Sequence, residues 1–370
     1  MATSKPKRAP FKIQGHSVAA GTRALINLPV GVFINHAQVD LTLTVIHGRL
    51  PGPTMLVTGC IHGDEINGTE IIRRLLKTSS VKRLRGTLLA VSIVNVPAFL
   101  NRSRYLPDRR DLNRLFPGSA TGSLGSRLAR VVSTELVPRC DLVIDLHTGA
   151  INRPNLPQIR VTTEDLGALE LARIFNAPVI VLAPQRPNTF RSICFAEKKS
   201  IILYEAGEAL RLDATSIRHG VEGILSVMRH IEMLPQRKAP VRKKKIDPIV
   251  CEKSYWERAP IGGIFTPLLA LGKSVAKDEV IGFVADPFGG NETPVTASRE
   301  GVLIGRTNEG LADEGDGLFH IAVFSDIDQA RDQIAASNQA LPDTDDELDD
   351  HPVPYDPFME EVEPITNPET

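Results

Sequence analysis

The segment IHGDEING, residues 61–68, holds three side chains that can bind metal: His62, Asp64 and Glu65. His62 and Glu65 are three residues apart, and they directly follow the apolar run TMLVTGC. This spacing lets an imidazole and a carboxylate reach one ion, and a catalytic zinc ion takes three protein ligands and leaves one position open for water. The third candidate ligand is His147 in LVIDLHTG, which also ends an apolar run. The pattern predicts a site for one zinc ion per chain.

The structural alternatives are ordinary roles for each residue taken alone. His62 could be a turn histidine, and Glu65 could be an acid in the first turn of a helix, where the helix dipole favours negative charge. The joint placement of both residues with His147 favours the metal site. Six further histidines lie in other predicted elements and are expected to be structural: His16, His36, His47, His219, His230 and His320.

Two acids adjoin the candidate ligands. Asp64 is expected to favour the N-terminus of the following helix, or to support the ligands, rather than to bind the metal itself. Asp145 precedes His147 by two residues, so both side chains should point to the same side of a strand. Asp145 is therefore predicted either to orient His147 or to be an ordinary buried acid with hydrogen bonds.

A hydrolytic zinc site also needs a residue that transfers protons. Glu205 ends another apolar run, in IILYEAGEAL, and a carboxylate there can accept a proton from water and pass it to a leaving amine. The structural alternative for Glu205 is an ion pair with an arginine. Glu208 is a weaker candidate because it lies in the predicted turn that follows.

The arginine-rich segment SRYLPDRRDLNRLFPG, residues 103–118, could hold a substrate. A guanidinium group can bind a carboxylate with two parallel hydrogen bonds. Arg114 stands between apolar residues, Leu112 and Leu115, which predicts that it is partly buried. A solvated basic loop is the structural alternative.

Four motifs, HGDE, RYLPDRRDLNR, DLHTG and YEAGE, occur in this order along the chain. The ordered set resembles the succinylglutamate desuccinylase/aspartoacylase family of the zinc carboxypeptidase superfamily, over roughly residues 50–235. The resemblance implies a role for each of seven residues. These are His62, Glu65 and His147 as zinc ligands, Glu205 as general base, Asn113 and Arg114 as residues that bind a substrate carboxylate, and Arg104 as the group that polarises the scissile carbonyl.

The sequence departs from aspartoacylase by two extra residues between Arg-Tyr and Asp-Leu-Asn-Arg. Arg109 or Arg110 could therefore take the polarising role instead of Arg104. Members of the family differ in acyl group and amino acid, so the resemblance does not identify the substrate.

Apolar runs alternate with helix-like stretches between residues 54 and 233. This pattern predicts an α/β fold with a mostly parallel mixed sheet flanked by helices, like that of zinc carboxypeptidases. The zinc hydrolase domain is assigned to residues 49–236, and residues 1–48 are predicted to be N-terminal strands that pack on it. In such sheets, function gathers at the carboxyl ends of the strands, where the candidate residues lie.

Three further segments follow the predicted hydrolase domain. Residues 237–247 are assigned to a basic linker, and residues 248–325 to a small all-β barrel-sandwich domain, because glycines recur there with a spacing of 38. The connection between its halves has no lysine, so a biotinyl or lipoyl carrier is not expected. Residues 326–370 are predicted to be an acidic, disordered tail.

Charge and composition exclude several classes of protein. The residues from 343 onward hold 11 acidic residues and no Lys or Arg, so removing them from the net charge of −1 leaves residues 1–342 at +10. The basic run at 237–245 has no aromatic residue for base stacking, so no nucleic-acid partner is expected. The sequence shows no secretory signal, no membrane span and no Cys-x-x-Cys pair among its 4 cysteines, which predicts a cytoplasmic protein.

These observations predict a zinc-dependent amidohydrolase that removes an N-acyl group from an amino acid or a related small carboxylate. The alternative is a zinc carboxypeptidase that acts on peptides. A binding protein that kept only the fold would lack a ligand or the base, and none is missing here. The sequence leaves open whether the protein forms a homo-oligomer.

Overall fold

The computed structural model describes residues 8–236, 246–251 and 253–340. Most of the predicted basic linker and residues 341–370 lie outside the described residues. The strands are β1 (Phe11–Ile13), β2 (His16–Val18), β3 (Thr22–Val32), β4 (Gln38–His47), β5 (Thr54–Gly59), β6 (Thr87–Val91), β7 (Leu142–Gly149), β8 (Asn155–Thr162), β9 (Val179–Ala183), β10 (Ser200–Glu208), β11 (Ile249–Cys251), β12 (Lys253–Arg258), β13 (Gly263–Pro267), β14 (Ser274–Val275), β15 (Val280–Ala285), β16 (Glu292–Thr296), β17 (Gly301–Arg306), β18 (Leu311–Ala312) and β19 (Gly317–Val323).

Helices connect many of these strands. The α-helices are α1 (Asn67–Leu75), α2 (Val96–Leu100), α3 (Leu124–Val131), α4 (Leu166–Phe175), α5 (Phe190–Ala196), α6 (Ala214–His230) and α7 (Ile327–Ala340). Aspartates cap the N-termini of two of the long helices. Asp165 accepts a hydrogen bond from a backbone N–H in the first turn of α4, and Asp213 does the same in α6. Among the described residues, no helix is long and apolar enough to cross a membrane.

A mixed sheet of 13 strands forms the centre of the fold, in the order β12-β19-β17-β8-β10-β7-β5-β6-β4-β3 along its main path. The middle strands β6, β5, β7 and β10 are parallel to one another, whereas β8 is antiparallel to β10. Every residue of β6 and β7 is buried, as expected for parallel strands that are covered on both faces. The predicted α/β class with a mixed sheet is confirmed.

Two apolar cores fill the space between the sheet and its helices. Residues of α1, α4 and α6 pack on one face, and residues of α3 and α5 pack on the other. The close approach of α1 and α6 requires Gly220, because a side chain there would collide with Ile71. The N-terminal strands β3 and β4 extend the sheet, since β4 pairs with β6.

The C-terminal β region packs a four-stranded sheet, β16-β15-β13-β18, against the end of the central sheet. Its core includes Phe265 and Val284 from the small sheet and Leu303 and Phe319 from β17 and β19. The strand β17 also pairs with β8, where Gly305 lies opposite Asn155. The central sheet therefore continues into the C-terminal region.

Residues 327–340 form α7, so the prediction of a disordered tail from residue 326 is wrong for this segment. Ala330 and Ile334 lie one turn apart and are buried against Val302 of β17 and Leu271. The many charged and polar residues around this short apolar stripe hide it in the sequence.

Candidate functional site

The three candidate metal ligands come from two neighbouring strands. His62 and Glu65 lie in the loop between β5 and α1, and His147 lies near the end of β7. Because β5 and β7 are parallel neighbours, their carboxyl ends meet at one edge of the sheet. All three side chains are buried, and one ligand atom from each lies within 4.8 Å of the others.

The loop after β5 is held in place by two hydrogen bonds and one close approach to α2. Asn95, which precedes α2, donates from its amide nitrogen Nδ2 to the carbonyl oxygen of Ile61 at 3.0 Å. A side chain at Gly63 would collide with the backbone of Ala98 and Phe99 in α2, so glycine is needed there for close approach. The backbone N–H of Leu210, after β10, donates to the carbonyl oxygen of Asp64 at 2.8 Å. The strand-end loops thus brace one another around the ligands.

Each imidazole lies between two carboxylates. The Nδ1 atoms of His62 and His147 are each 2.7 Å from a different oxygen of Glu65. On the opposite side, Nε2 of His62 is 3.1 Å from Asp111 Oδ1, and Nε2 of His147 is 2.8 Å from Asp145 Oδ2. The Asp145 carboxylate accepts a second hydrogen bond from the Thr58 hydroxyl at 2.7 Å.

This arrangement fits a metal cation between the two Nδ1 atoms and Glu65. A neutral imidazole has one N–H and cannot donate to two carboxylates. If each Nε2–H donates to its aspartate, each Nδ1 lone pair faces Glu65, which is favourable only with a cation between them. Histidine ligands of metals commonly donate their other N–H to a carboxylate in this way. Glu65, Asp111 and Asp145 contact the imidazoles, and Arg104 is hydrogen-bonded to two of these three carboxylates. A metal cation would balance the remaining negative charge.

The pKa values of these groups shift in the direction expected for a site that favours positive charge. Burial raises the pKa of Glu65, but the charges of His62 and His147 outweigh it, so the pKa lies well below its usual range. Burial lowers the pKa of His147, whereas the carboxylates of Asp145 and Glu65 raise it well above its usual value. The carboxylates therefore stabilise positive charge at the ring nitrogens.

Arg104 is the arginine that reaches the candidate ligands. Its guanidinium donates to Glu65 Oε1 at 3.1 Å and to Asp111 Oδ2 at 3.4 Å. Arg109 and Arg110 are exposed, and Arg110 contacts Ser123 instead. Of the three arginines that the sequence left open, Arg104 is therefore the one placed at the site.

Asp111 is a site residue that sequence reasoning missed. It binds His62 and Arg104, and its Oδ1 also accepts the backbone N–H of Asn113 at 2.8 Å. Burial raises the pKa of Asp111, but the hydrogen bond and charge of His62 lower it far more. Its place at the head of Asp-Leu-Asn-Arg was the signal that could have identified it.

Asn113 and Arg114 lie beside this cluster, where they follow Asp111. Asn113 is buried, and its side-chain oxygen accepts the backbone N–H of Phe190, at the start of α5, at 2.9 Å. Arg114 donates from Nη1 to the Asn113 carbonyl oxygen at 2.6 Å. Arg114 is exposed, so the prediction that it is partly buried is wrong. Its flanking apolar residues turn into the core while the arginine side chain points to solvent.

Glu205 lies on β10 directly opposite His147 of β7 in the parallel register. Residues paired in this way point to the same face of the sheet, so Glu205 faces the metal-ligand side. Its Oε2 forms an ion pair with Nε of Arg160 on β8. Glu208 is instead 2.5 Å from Nε of Arg211. Glu205 thus has the arginine partner of the structural alternative and also lies on the same face of the sheet as His147.

Asp64 lies near the cluster, because the charges of Glu65, His62 and Arg104 all act on its carboxyl group. Its Oδ1 is buried and lacks a hydrogen-bond partner among the described residues. Burial and the negative charge of Glu65 raise the pKa of Asp64. The metal-ligand cluster found among the described residues does not include it.

Comparisons with known proteins agree on one family. Residues 51–231 match the model of the succinylglutamate desuccinylase/aspartoacylase catalytic domain. The chain is 28% identical over 294 residues to N-alpha-acetyl-L-2,4-diaminobutyric acid deacetylase from Halomonas elongata, which covers 77% of this chain and 86% of that protein.

Two solved structures share the fold. The product-bound ectoine utilization protein EutE (DoeB) from Ruegeria pomeroyi has a TM-score of 0.73 and 27% identity, and covers 81% of this chain and 94% of that one. A succinylglutamate desuccinylase from Silicibacter sp. TM1040 has a TM-score of 0.73 and 26% identity, and covers 87% of this chain and 99% of that one. Both matches extend beyond the catalytic domain.

Proposed function

Because residues 51–231 match the model of the succinylglutamate desuccinylase/aspartoacylase catalytic domain, we propose that this protein is a metal-dependent hydrolase that removes an N-acyl group from an amino acid. The observation that carries the proposal is the convergence of two imidazole Nδ1 atoms on the Glu65 carboxylate. The names of the relatives, a deacetylase and a desuccinylase, support the reaction class.

Zinc is the metal we propose for the site, with one ion per chain held by His62, Glu65 and His147. Two imidazoles and one carboxylate are a common ligand set for catalytic zinc, which keeps a position open for water. When bound, zinc supplies Lewis acidity that makes water a nucleophile near neutral pH. The aspartates on the two Nε2 atoms, Asp111 and Asp145, fix the tautomer and orientation of each ring.

Proton transfer falls to Glu205. Its carboxylate lies on the same face of the sheet as His147, one strand away. A carboxylate in this position can take the proton from the attacking water and then give it to the leaving amine. Arg160 holds one carboxylate oxygen of Glu205 by an ion pair, which fixes the orientation of the side chain for both steps.

Arg104 is the proposed electrostatic partner of the scissile carbonyl. It reaches into the ligand cluster through Glu65 and Asp111 while 28% of its side chain stays exposed. A fixed guanidinium stabilises negative charge as it develops on the carbonyl oxygen.

Asn113 and Arg114 are proposed to hold the carboxylate of the substrate. Asn113 is fixed by its hydrogen bond to the N-terminus of α5, and the exposed side chain of Arg114 is open to a ligand arriving from solvent. A guanidinium can grip a carboxylate with two hydrogen bonds. The substrate of this proposal is therefore a small molecule with a free carboxylate.

The test is a substrate screen with purified, zinc-loaded protein. N-acetyl and N-succinyl amino acids, their carboxamides and short unblocked peptides would be compared by release of the free amine. We expect cleavage of N-acyl amino acids and poor cleavage of the carboxamides. Preferential removal of C-terminal residues from peptides would favour a carboxypeptidase. Equal cleavage of acids and amides would contradict the binding of a substrate carboxylate by Asn113 and Arg114.

A further inference from the structure

Buried polar atoms without hydrogen-bond partners are concentrated around β8, on the far side of Glu205 from the metal ligands. In the part of the chain that the structure describes, these atoms include both amide atoms of one glutamine. They are Gln158 Nε2 and Oε1, Thr162 Oγ1, Gln185 Nε2, Arg191 Nη1 and His320 Nδ1. Native proteins seldom leave such groups unpaired, so each calls for an explanation.

Gln158 has the most informative position in this group. Its side chain is completely buried, and it lies directly opposite Glu205 in the antiparallel register of β8 and β10. Glu205 in turn lies opposite His147, so the three side chains form a row across the same face of the sheet. With a strand spacing of about 4.8 Å, Gln158 is about 10 Å from the metal ligand, measured between strands.

The row has the dimensions of a small substrate. An acyl group at the metal and an amine that takes a proton at Glu205 would place the rest of the released amino acid beyond Glu205. The residue that follows Glu205 in the row is Gln158. Burial of an amide without a partner costs free energy, and a bound polar group would remove that cost.

We propose that Gln158 is a specificity-determining residue that hydrogen-bonds the side chain of the amino acid released by hydrolysis. This inference rests on the proposed function, because it assigns the part of the substrate that the proposed reaction releases. The ligand group is an oxygen of a carboxylate or carboxamide rather than an ammonium.

The positive charges around Gln158 favour a ligand group that presents an oxygen atom. Arg160 lies two residues away on the same face of β8, and Arg191 is close enough that the charges of Arg160 and Arg186 lower its pKa, after the larger effect of burial. Burial and then the charge of Arg160 lower the pKa of His320 to about 3, so the ring is neutral. Arg160 is paired with Glu205, and Arg186 and Arg191 add positive charge that would repel a cationic side chain.

His320 of β19 adds a group from the C-terminal β region, because it lies near enough to Arg160 for that charge to lower its pKa. Its Nε2 is 2.9 Å from the Ser254 hydroxyl, and its buried Nδ1 has no partner among the described residues. If the hydroxyl donates to Nε2, the neutral ring carries its proton on Nδ1. That nitrogen then adds a second donor for an oxygen of the ligand.

Calorimetric binding of free amino acids to the zinc-loaded protein tests this inference without turnover. The probes are L-glutamate, L-glutamine, L-2,4-diaminobutyrate and L-alanine. We expect L-glutamate or L-glutamine to bind at least about tenfold more tightly than the other two. The Gln158→Leu variant should lose this preference while its unfolding midpoint does not fall, because the leucine removes an unpaired buried amide.

Two further variants make the result specific. Gln158→Glu keeps the shape but adds a negative charge, so it should weaken L-glutamate binding about tenfold more than L-glutamine binding. Ile159→Val, on the opposite face of β8, should leave the preference unchanged. A preference for L-2,4-diaminobutyrate or L-alanine in the parent protein would overturn the inference, as would an intact preference in both Gln158 variants.

The outcome also separates this inference from the proposed function. Suppose that the variants lose the binding preference but no N-acyl amino acid is hydrolysed. That result would contradict the proposed function and not the role of Gln158 in binding. Suppose instead that the Gln158→Leu variant hydrolyses N-acyl amino acids and keeps the amino-acid binding preference of the parent protein. That result would contradict the role of Gln158 in binding and not the proposed function.

Discussion

At the scale of single residues, the carboxylates around each imidazole decide what a substitution should do. His147 has Asp145 on one ring nitrogen and Glu65 on the other. The ring therefore serves the site and not the sheet, because the neighbouring residues of β7 hold the core without it.

We expect His147→Ala to lose bound zinc and all activity while the protein stays folded. Elemental analysis of purified protein measures the metal, and circular dichroism measures the fold. The control is His230→Ala, since His230 lies at the exposed end of α6 and pairs with Glu170. Full zinc occupancy in the His147 variant would exclude the residue as a ligand.

Glu205→Gln should retain zinc and bind substrate, yet lower kcat by about 10²–10⁴, the usual contribution of general acid–base catalysis. The amide keeps the shape of the side chain but cannot accept the proton. Glu208→Gln is the matched control, because Glu208 is engaged by Arg211. If Glu208→Gln caused the larger loss of kcat, the base would have to be reassigned.

Asp111→Asn should weaken zinc binding by about 10–100-fold, as substitution of a residue that orients a metal ligand usually does. The amide removes the charge that stabilises His62 and Arg104 but keeps a side-chain oxygen. Competition with a chelator gives the affinity. Asp108→Asn is the control, because Asp108 is an exposed acid of the same loop; an equal effect there would show only a general loss of negative charge.

At the scale of elements, α6 and α7 are joined by a buried histidine. His219 of α6 is 3.1 Å from Asn338 Oδ1 of α7 through Nε2. Burial lowers the pKa of His219 from 6.5 to about 4, although the hydrogen bond to Asn338 opposes the shift. The ring is thus neutral in the folded protein and takes up a proton more readily when the chain unfolds.

The pH dependence of stability follows from that difference. Above pH 6.5 the ring is neutral in both states, and as the pH falls from 6.5 towards 4 the unfolded state binds the proton first. Stability should therefore fall, with His219 responsible for about 2 kcal/mol at pH 5. Urea unfolding of the parent protein and of His219→Gln at pH 7 and pH 5 measures this, and an equal loss in both proteins would contradict it.

At the scale of the whole molecule, the C-terminal β region and α7 complete one continuous structure with the catalytic domain. The strand β17 joins the central sheet at β8, and α7 covers apolar residues of β17. The unpaired buried polar atoms near Gln158 come from both parts, since His320 lies on β19. The C-terminal region is thus expected to shape the substrate pocket without supplying a metal ligand.

Two truncations test the boundary of this structure. A chain that stops after residue 340 should keep its kcat/KM and its stability, because residues 341–370 are mainly charged or polar. A chain that stops after residue 325 should lose about 2–5 kcal/mol of unfolding free energy, as removal of large buried apolar groups such as Ile334 does. Urea unfolding compares the two, and equal stability would show that α7 does not contribute.

The sequence by itself determined the fold class and the cluster of three side chains that could hold a metal ion. Buried apolar runs that alternate with helices predict a sheet with parallel strands, and His62, Glu65 and His147 all stand where such a run ends. Neighbouring parallel strands end at the same edge of a sheet, so residues 82 or more positions apart meet there. Local pattern and one topological rule were enough.

Only the tertiary structure decided which other residues join them. The contacts of Asp111 with His62, and the choice of Arg104 over its neighbours, depend on the path of a loop that no periodic pattern specifies. Arg160 and Gln158 reach Glu205 because β8 returns antiparallel beside β10, and strand order is not encoded in local spacing. The burial of α7 likewise depends on an apolar surface supplied by β17, which is distant along the chain.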